Sequence, residues 1–174
     1  MKLLKQIRDT DFGMEITAPA KYKERKTARA VLFDADGNIA LLHAAKVGYH
    51  CIPGGAIDEG EDIHTGLARE VREEAGCAMQ NIRELGIVEE YRNKHGVVNI
   101  SYCFIADVSG EKGETEFIDD EIEEGYVLEW MSLENAIKAV EGDTGAGNYK
   151  YPFIRERELA LLKEVAKVLA GRSG

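Results

Sequence analysis

The feature that most constrains this chain is a run of glycines and charged residues between Gly55 and Cys77. Seven positions in the run have a fixed spacing: Gly55, Glu61, Arg69, Glu70, Glu73, Glu74 and Gly76. At about 7% usage for each residue type, this combination is expected by chance in about one window in 10⁸. The spacing therefore indicates a structural or chemical requirement.

The second half of this run has the periodicity of a helix. We predict a helix over Asp62 to Ala75, ended by Gly76 in a left-handed cap. At about 100° per residue, an apolar stripe is flanked by three glutamates within an arc of about 100°, namely Glu70, Glu73 and Glu74. Crowded carboxylates repel one another, and Mg²⁺ or Mn²⁺ removes this repulsion by binding several oxygen ligands. The alternative is a solvated acidic helix face.

The rest of the chain alternates strands with helices. Predicted strands cover 28–33, 39–42, 82–91, 97–108 and 126–131, and predicted helices follow Ser132 and begin at Pro152. This order predicts an α/β fold in which one mixed sheet lies between helices. We expect a single domain over 1–174, with 1–27 as an N-terminal extension, 109–125 as an acidic loop and 152–170 as a C-terminal helix.

Composition and charge exclude several classes of protein. The chain has 174 residues and a formal net charge of −10, which disfavours binding to a nucleic acid polymer. No apolar run approaches the roughly 18 residues of a membrane helix, so we expect no membrane association. Three widely spaced cysteines without a CxxC pair predict reduced thiols and a cytoplasmic location.

The spacing from Gly55 to Cys77 resembles the Nudix box, in which glycine, glutamate, Arg-Glu and Glu-Glu recur at these intervals. Cys77 occupies a position where an aliphatic residue is usual, which is a mild departure. The resemblance implies a Nudix-type α/β/α sandwich with a mixed β-sheet between helices. It also implies a divalent-metal-dependent pyrophosphohydrolase that acts on phosphorus-containing anhydrides.

The same resemblance assigns roles to the residues of the box. It implies that Glu70, Glu73 and Glu74 bind the metal, with a backbone carbonyl of Gly54 or Gly55. Arg69 is expected to hold a box glutamate, either Glu61 or Glu73, by a charge-assisted hydrogen bond. The candidate catalytic residues are Glu73, Glu70, Arg69 and, from the acidic segment 117–124, Glu121.

Three residues outside the box are candidates for substrate binding. Arg29 lies on the first predicted strand, Lys46 precedes the box, and Glu124 ends the acidic segment. Exposed charges without such a role are a competing interpretation for each of them. Arg92 lies at a predicted hairpin turn, where a surface turn is expected and a substrate-contacting loop is the alternative.

The box predicts the bond that is broken but leaves the substrate open. We expect a nucleoside diphosphate derivative, including a nucleoside triphosphate cleaved to monophosphate and pyrophosphate. The resemblance also covers ADP-ribose and diadenosine polyphosphate hydrolases, although the proline expected after the box in ADP-ribose enzymes is missing. Further alternatives are a non-catalytic nucleotide-binding sensor and an isomerase of isoprenoid diphosphates. Family members often pair, so a homodimer is a further expectation.

Overall fold

A mixed β-sheet forms the centre of the computed structural model, which describes residues 1–145 and 147–171. Its strands in the described part are β1 (Leu3–Arg8), β2 (Lys23–Phe33), β3 (Ile39–Ala44), β4 (Tyr49–Cys51), β5 (Gly54–Ala56), β6 (Ala78–Arg92), β7 (Val97–Ser109) and β8 (Tyr126–Met131). Their order is β1-β6-β7-β2-β3-β4, with β5 paired to β2 and β8 paired to β3. The β1–β6 and β2–β7 pairs are parallel, and the other pairs are antiparallel.

Helices cover both faces of this sheet. They are α1 (Ile63–Ala75), the short α2 (Asp119–Glu124), α3 (Leu133–Gly142) and α4 (Tyr151–Ala170). On one face, Leu67 and Val71 of α1 pack against alternate residues of β2, including Ala30. On the other face, α3 and α4 pack against Val31 and Leu41. Burial of these apolar faces stabilises the layers, and it confirms the predicted α/β/α sandwich.

Local signals define both ends of α1. The Asp62 carboxylate accepts hydrogen bonds from the backbone N–H groups of His64 and Thr65, at 2.9 and 3.0 Å. These bonds satisfy donors that the first helical turn leaves unpaired. At the other end, Gly76 adopts a φ of 64°, as the sequence predicted. Ser132 caps α3 by accepting from Asn135 N, also as predicted.

The N-terminal segment and the acidic loop differ from the sequence prediction. Residues 1–27 were predicted as an extension, but β1 pairs with β6, and its Ile7 is fully buried in the core. Strand β2 begins at Lys23 rather than Ala28, because its pairing with β7 continues to Val97 through exposed polar residues. The predicted loop 109–125 contains α2. None of the described helices combines the length and apolarity needed to span a bilayer.

Candidate metal and substrate site

Two glutamates of α1 face a cavity of about 550 Å³. Glu70 and Glu74 are one helical turn apart and line this cavity, with 9% and 5% of their surfaces exposed. Burial raises the pKa of both carboxyl groups, and for each of them the charge of the neighbouring box glutamates adds to the rise. Two desolvated carboxylates at this spacing are candidate ligands for a cation.

Two glycines allow the backbone to lie against these carboxylates. A Cβ atom on Gly55 would lie 2.4 Å from Oε2 of Glu70, and one on Gly54 would lie 2.2 Å from the carbonyl oxygen of Ala28. Gly54 also has a φ of 135° and donates its N–H to Oε2 of Glu74 at 2.5 Å. The paired strands β2 and β5 therefore hold this turn directly over α1.

Arg69 holds the acidic residues around it in fixed positions. Its Nε and Nη2 atoms donate to the two carboxylate oxygens of Glu61, each at 3.0 Å. Its Nη1 atom donates to Glu70 at 2.8 Å and to Glu73 at 3.2 Å. The sequence left Glu61 and Glu73 as alternative partners, and Arg69 bonds both. These bonds raise the pKa of Arg69 and lower that of Glu61.

The donor set fits a hard divalent cation. Oxygen ligands from carboxylates and backbone carbonyls are those that Mg²⁺ and Mn²⁺ prefer. Glu70 and Glu74 supply such oxygens within the cavity, whereas Glu73, which shares Arg69 Nη1 with Glu70, is not among the described lining residues. The geometry therefore favours Glu70 and Glu74 as the metal-facing pair. The metal role of Glu73 stays a prediction.

Substituting Gly55 with alanine is expected to weaken metal binding. The added Cβ displaces the Glu70 carboxylate, because their closest approach would be 2.4 Å. We expect about tenfold weaker Mg²⁺ binding and about 1–3 kcal/mol of destabilisation from the overpacked contact. Isothermal titration calorimetry and urea denaturation measure the two effects. Gly142→Ala is the control, since a Cβ there meets no atom within 4 Å; equal Mg²⁺ affinity in the two variants would contradict the prediction.

The acidic helix α2 forms another side of the cavity. Glu121 and Glu124 both line it. One oxygen of Glu121 accepts from the backbone N–H of Ile118 at 2.8 Å, and Glu124 accepts from the hydroxyl of Tyr49 at 2.5 Å. The sequence reasoning therefore identified both residues as neighbours of the site, although their roles stay predictions.

Lys46 lies elsewhere than the sequence suggested. Its ammonium donates to the backbone carbonyl of Ile122 at 3.3 Å, and its aliphatic stem passes close to Gly125. Lys46 is not one of the described residues that line the cavity. Its contacts instead fasten α2 to the loop after β3.

Basic residues that the sequence reasoning missed line the same cavity as the glutamates. Arg25, Arg92 and Arg157 join the predicted Arg29 there. Arg92 was expected on a surface turn, but it is buried because Glu90 accepts a hydrogen bond from its Nη2 at 2.8 Å. The alternation of Arg25, Thr27 and Arg29 along β2 is the one sequence signal that pointed to a shared face.

A second polar cluster lies on β3, β4 and β8. His43 pairs with His50 across the β3–β4 ladder, and Glu129 approaches both rings at 3.6 and 4.0 Å. Within the described ranges, these residues form the one group of three whose potential metal-ligand atoms all lie within 4.8 Å of one another. The imidazole rings are stacked, with centroids 4.3 Å apart and planes 11° apart. His50 is also held by Asp143, whose carboxylate accepts from the backbone N–H of His50 at 2.7 Å and lies 2.6 Å from its Nδ1, so stacking and this contact account for the ring positions.

Comparison with known proteins identifies the family. The NUDIX domain family model matches residues 23–153, which is most of the chain. The chain belongs to the Nudix hydrolase family. The match includes the α1 carboxylates, the two glycines and the arginines of β2.

Individual relatives agree with this assignment. Diphosphoinositol polyphosphate phosphohydrolase 2 of Rattus norvegicus is 33% identical over 124 residues, which are 69% of this chain and 64% of the relative. The chain thus matches less than two thirds of that protein's length. A MutT Nudix hydrolase of Burkholderia pseudomallei is 25% identical, with a TM-score of 0.53 over 64% of this chain and 85% of that one. A Nudix hydrolase of Nitrosomonas europaea, 21% identical, shares the fold with a TM-score of 0.60 over 86% and 90% of the two chains.

Proposed function

We propose that this Nudix protein is a Mg²⁺- or Mn²⁺-dependent pyrophosphohydrolase that cleaves the diphosphate bond of a nucleoside diphosphate derivative. The observation that carries the proposal is a single cavity with Glu70 and Glu74 on one side and arginines on another. Carboxylates that hold a divalent cation and guanidinium groups that bind phosphate oxygens are both needed for a diphosphate substrate.

Different residues of the cavity would bind the cation, position its ligands and contact the substrate. Glu70, Glu74 and a backbone carbonyl of the 54–55 turn would hold the cation, with Glu73 beside them. When bound, the cation neutralises phosphate charge and lowers the pKa of attacking water. Arg69 is a positioning residue, because it fixes Glu70 and Glu73 through one guanidinium. Arg29 approaches the diphosphate from β2.

A carboxylate must accept the proton of the attacking water. Glu121 suits this role, since it lines the cavity and its charge acts on Glu74. The backbone of Ile118 engages only one of its two oxygens among the described contacts. Glu70 and Glu73 are the alternative bases. Glu124 and Tyr49 contact each other at the α2 side of the cavity, where they would meet the leaving part of the substrate.

A second candidate function comes from the curated relative. That protein is named a diphosphoinositol polyphosphate phosphohydrolase, and a substrate with several phosphates suits a cavity lined by arginines. A nucleotide sensor on the same fold would bind these ligands without hydrolysis. The intact set of box glutamates favours an enzyme over a sensor.

Metal-dependent hydrolysis is the direct test of the proposed function. We expect the purified protein to hydrolyse a phosphoanhydride bond of at least one member of a diphosphate panel with Mg²⁺ or Mn²⁺, and to lose that activity with EDTA. The panel contains nucleoside triphosphates, ADP-ribose, diadenosine polyphosphates and diphosphoinositol polyphosphates, and product is measured by chromatography. If the protein binds a panel member but does not hydrolyse it with either metal, the proposed hydrolase activity is refuted and the nucleotide-sensor alternative is supported.

A further inference from the structure

Four arginines form a basic wall in the cavity, which we call the arginine cluster: Arg25, Arg29, Arg92 and Arg157. Arg25 and Arg29 lie on the same face of β2, where the parallel pairing with β7 aligns Arg25 with Asn99. Strand β6 adds Arg92, and α4 adds Arg157. The arginines of the cluster therefore come from two strands and a helix that are distant in the sequence.

The carboxylates near the cluster neutralise only part of its charge. Arg157 donates to Glu158 at 2.5 Å and to Glu90 at 3.1 Å, and Arg92 shares Glu90. Neither Arg25 nor Arg29 forms an ion pair within the described part of the chain. The charge of Arg29 acts instead on Glu70 and Glu74, which line the same cavity. Arg25 is exposed at the mouth of the cavity, and its partial desolvation together with the charges of Arg29 and Arg92 lowers its pKa.

Buried polar atoms around the cluster also lack partners. The Nε atoms of Arg29 and Arg92 and the Oδ1 atom of Asn99 have no hydrogen-bond partner among the described residues. A buried polar atom without a partner destabilises the fold unless a ligand or water satisfies it. Guanidinium donors match the oxygens of a phosphate group, and Asn99 Oδ1 can accept from a hydroxyl group. The free hydrogen-bonding capacity is therefore that of a site for a phosphorylated, hydroxyl-bearing ligand.

The cluster extends well beyond the glutamates. Arg29 lies next to the box, since a Cβ on Gly54 would meet its Cγ at 2.9 Å. Arg25 lies four residues away along an extended strand, which corresponds to about 13 Å. Arg29 is placed to contact the diphosphate held at Glu70 and Glu74. Arg25 therefore lies farther than Arg29 along β2 from the 54–55 turn, which pairs with Arg29 and Ala28.

We propose that Arg25 and Arg92 bind a second phosphate group of the substrate, separate from the diphosphate that is hydrolysed. The inference rests on the proposed function and narrows its substrate class. The substrate would be a diphosphate derivative of a sugar, polyol or nucleoside that carries a further phosphate monoester. The hydroxyl that Asn99 accepts from would lie beside that monoester.

Matched substrate pairs test the proposal. CoA and dephospho-CoA differ by one phosphate monoester, as do 2′-phospho-ADP-ribose and ADP-ribose. We expect the parent to have a higher kcat/KM for the phosphorylated member of at least one pair, by about tenfold for one charge-assisted contact. Arg25→Gln should bring this ratio close to one. Lys26→Gln removes the adjacent exposed charge, which is not among the residues lining the cavity, and should keep the parental ratio.

A binding measurement separates this proposal from the proposed function. Inositol hexakisphosphate has several phosphate monoesters and no diphosphate bond, so its binding in EDTA needs neither metal nor hydrolysis. We expect calorimetry to give about tenfold weaker binding for Arg25→Gln than for the parent and for Lys26→Gln. If Arg25→Gln weakens binding of the probe but the parent hydrolyses no diphosphate, the proposed enzymatic function is refuted and the proposed phosphate-binding site is supported. The opposite outcome is that the parent and Arg25→Gln hydrolyse the substrates with the same kcat/KM ratio and bind inositol hexakisphosphate with the same affinity. That outcome would overturn the proposed phosphate-binding site and leave the proposed enzymatic function standing.

Discussion

Glu74→Gln is expected to lower kcat/KM for diphosphate hydrolysis by about 10²–10³-fold, which corresponds to about 3–4 kcal/mol of transition-state stabilisation. Glutamine keeps the shape of the side chain and can still accept the N–H of Gly54, which Glu74 accepts at 2.5 Å. It removes the negative charge that would hold the cation. The loss should therefore arise from weaker metal binding and poorer neutralisation of the substrate, with the fold intact.

Stability measurements make this prediction more specific. Glu74 is 5% exposed, and its burial raises its pKa well above the usual value. A neutral side chain avoids this cost, so we expect Glu74→Gln to be as stable as the parent or more stable without metal. Added Mg²⁺ should raise the Tm of the parent more than that of the variant. Glu59→Gln, in the exposed loop before α1, is the control. A parental kcat/KM in Glu74→Gln would contradict the metal site on α1.

The sequence predicted α1 well because its determinants are local. Asp62 caps the helix by bonding residues two and three positions later, and Gly76 ends it with a positive φ. The helical period alone places Glu70 and Glu74 one turn apart. The resemblance also gave Glu61 and Glu73 as alternative partners of Arg69, eight and four residues away, but the bond to the adjacent Glu70 was not predicted.

The arginine cluster depends on contacts that a single sequence does not reveal. Arg157 reaches Glu90 across 67 positions, and Arg25 lies beside Asn99 only through the parallel register of β2 and β7. An isolated arginine in a sequence is most often exposed, which is why Arg92 was expected at the surface. Residues 1–27 were misjudged for a related reason. Polar residues of β1 and early β2 join the sheet through backbone hydrogen bonds, which leave no hydrophobic alternation to detect.

The largest effect on stability is expected at Glu90, the carboxylate that joins the arginine cluster to the core. Glu90 is fully buried and accepts from Arg92 at 2.8 Å, Arg157 at 3.1 Å and Asn99 at 2.6 Å. Glu90→Gln leaves two arginines without their shared counter-charge in a buried site. Removing one partner of a buried ion pair typically costs about 3–5 kcal/mol. We expect a loss of about 3 kcal/mol, measured by urea denaturation.

Its neighbour Glu89 provides a matched control for this substitution. Glu89→Gln makes the same chemical change on the opposite face of β6, where the carboxylate accepts from Gln6 and Tyr91 and is only partly buried. We expect it to cost less than about 1 kcal/mol. If Glu90→Gln and Glu89→Gln lower the free energy of unfolding by the same amount, the buried carboxylate of Glu90 does not stabilise the fold through its arginine partners.

The same carboxylate should determine how stability changes with pH. Burial alone would raise the pKa of Glu90, but Arg157 and Arg92 hold it down to about 2. An unfolded glutamate has a pKa of about 4.3, so the folded state favours the ionised form. The contribution of Glu90 is therefore complete above about pH 5 and is lost as the pH falls from there toward 2. Because Glu90→Gln cannot titrate, its free energy of unfolding should fall less steeply than the parent's over this range, and parallel curves would show that another group controls the acid response.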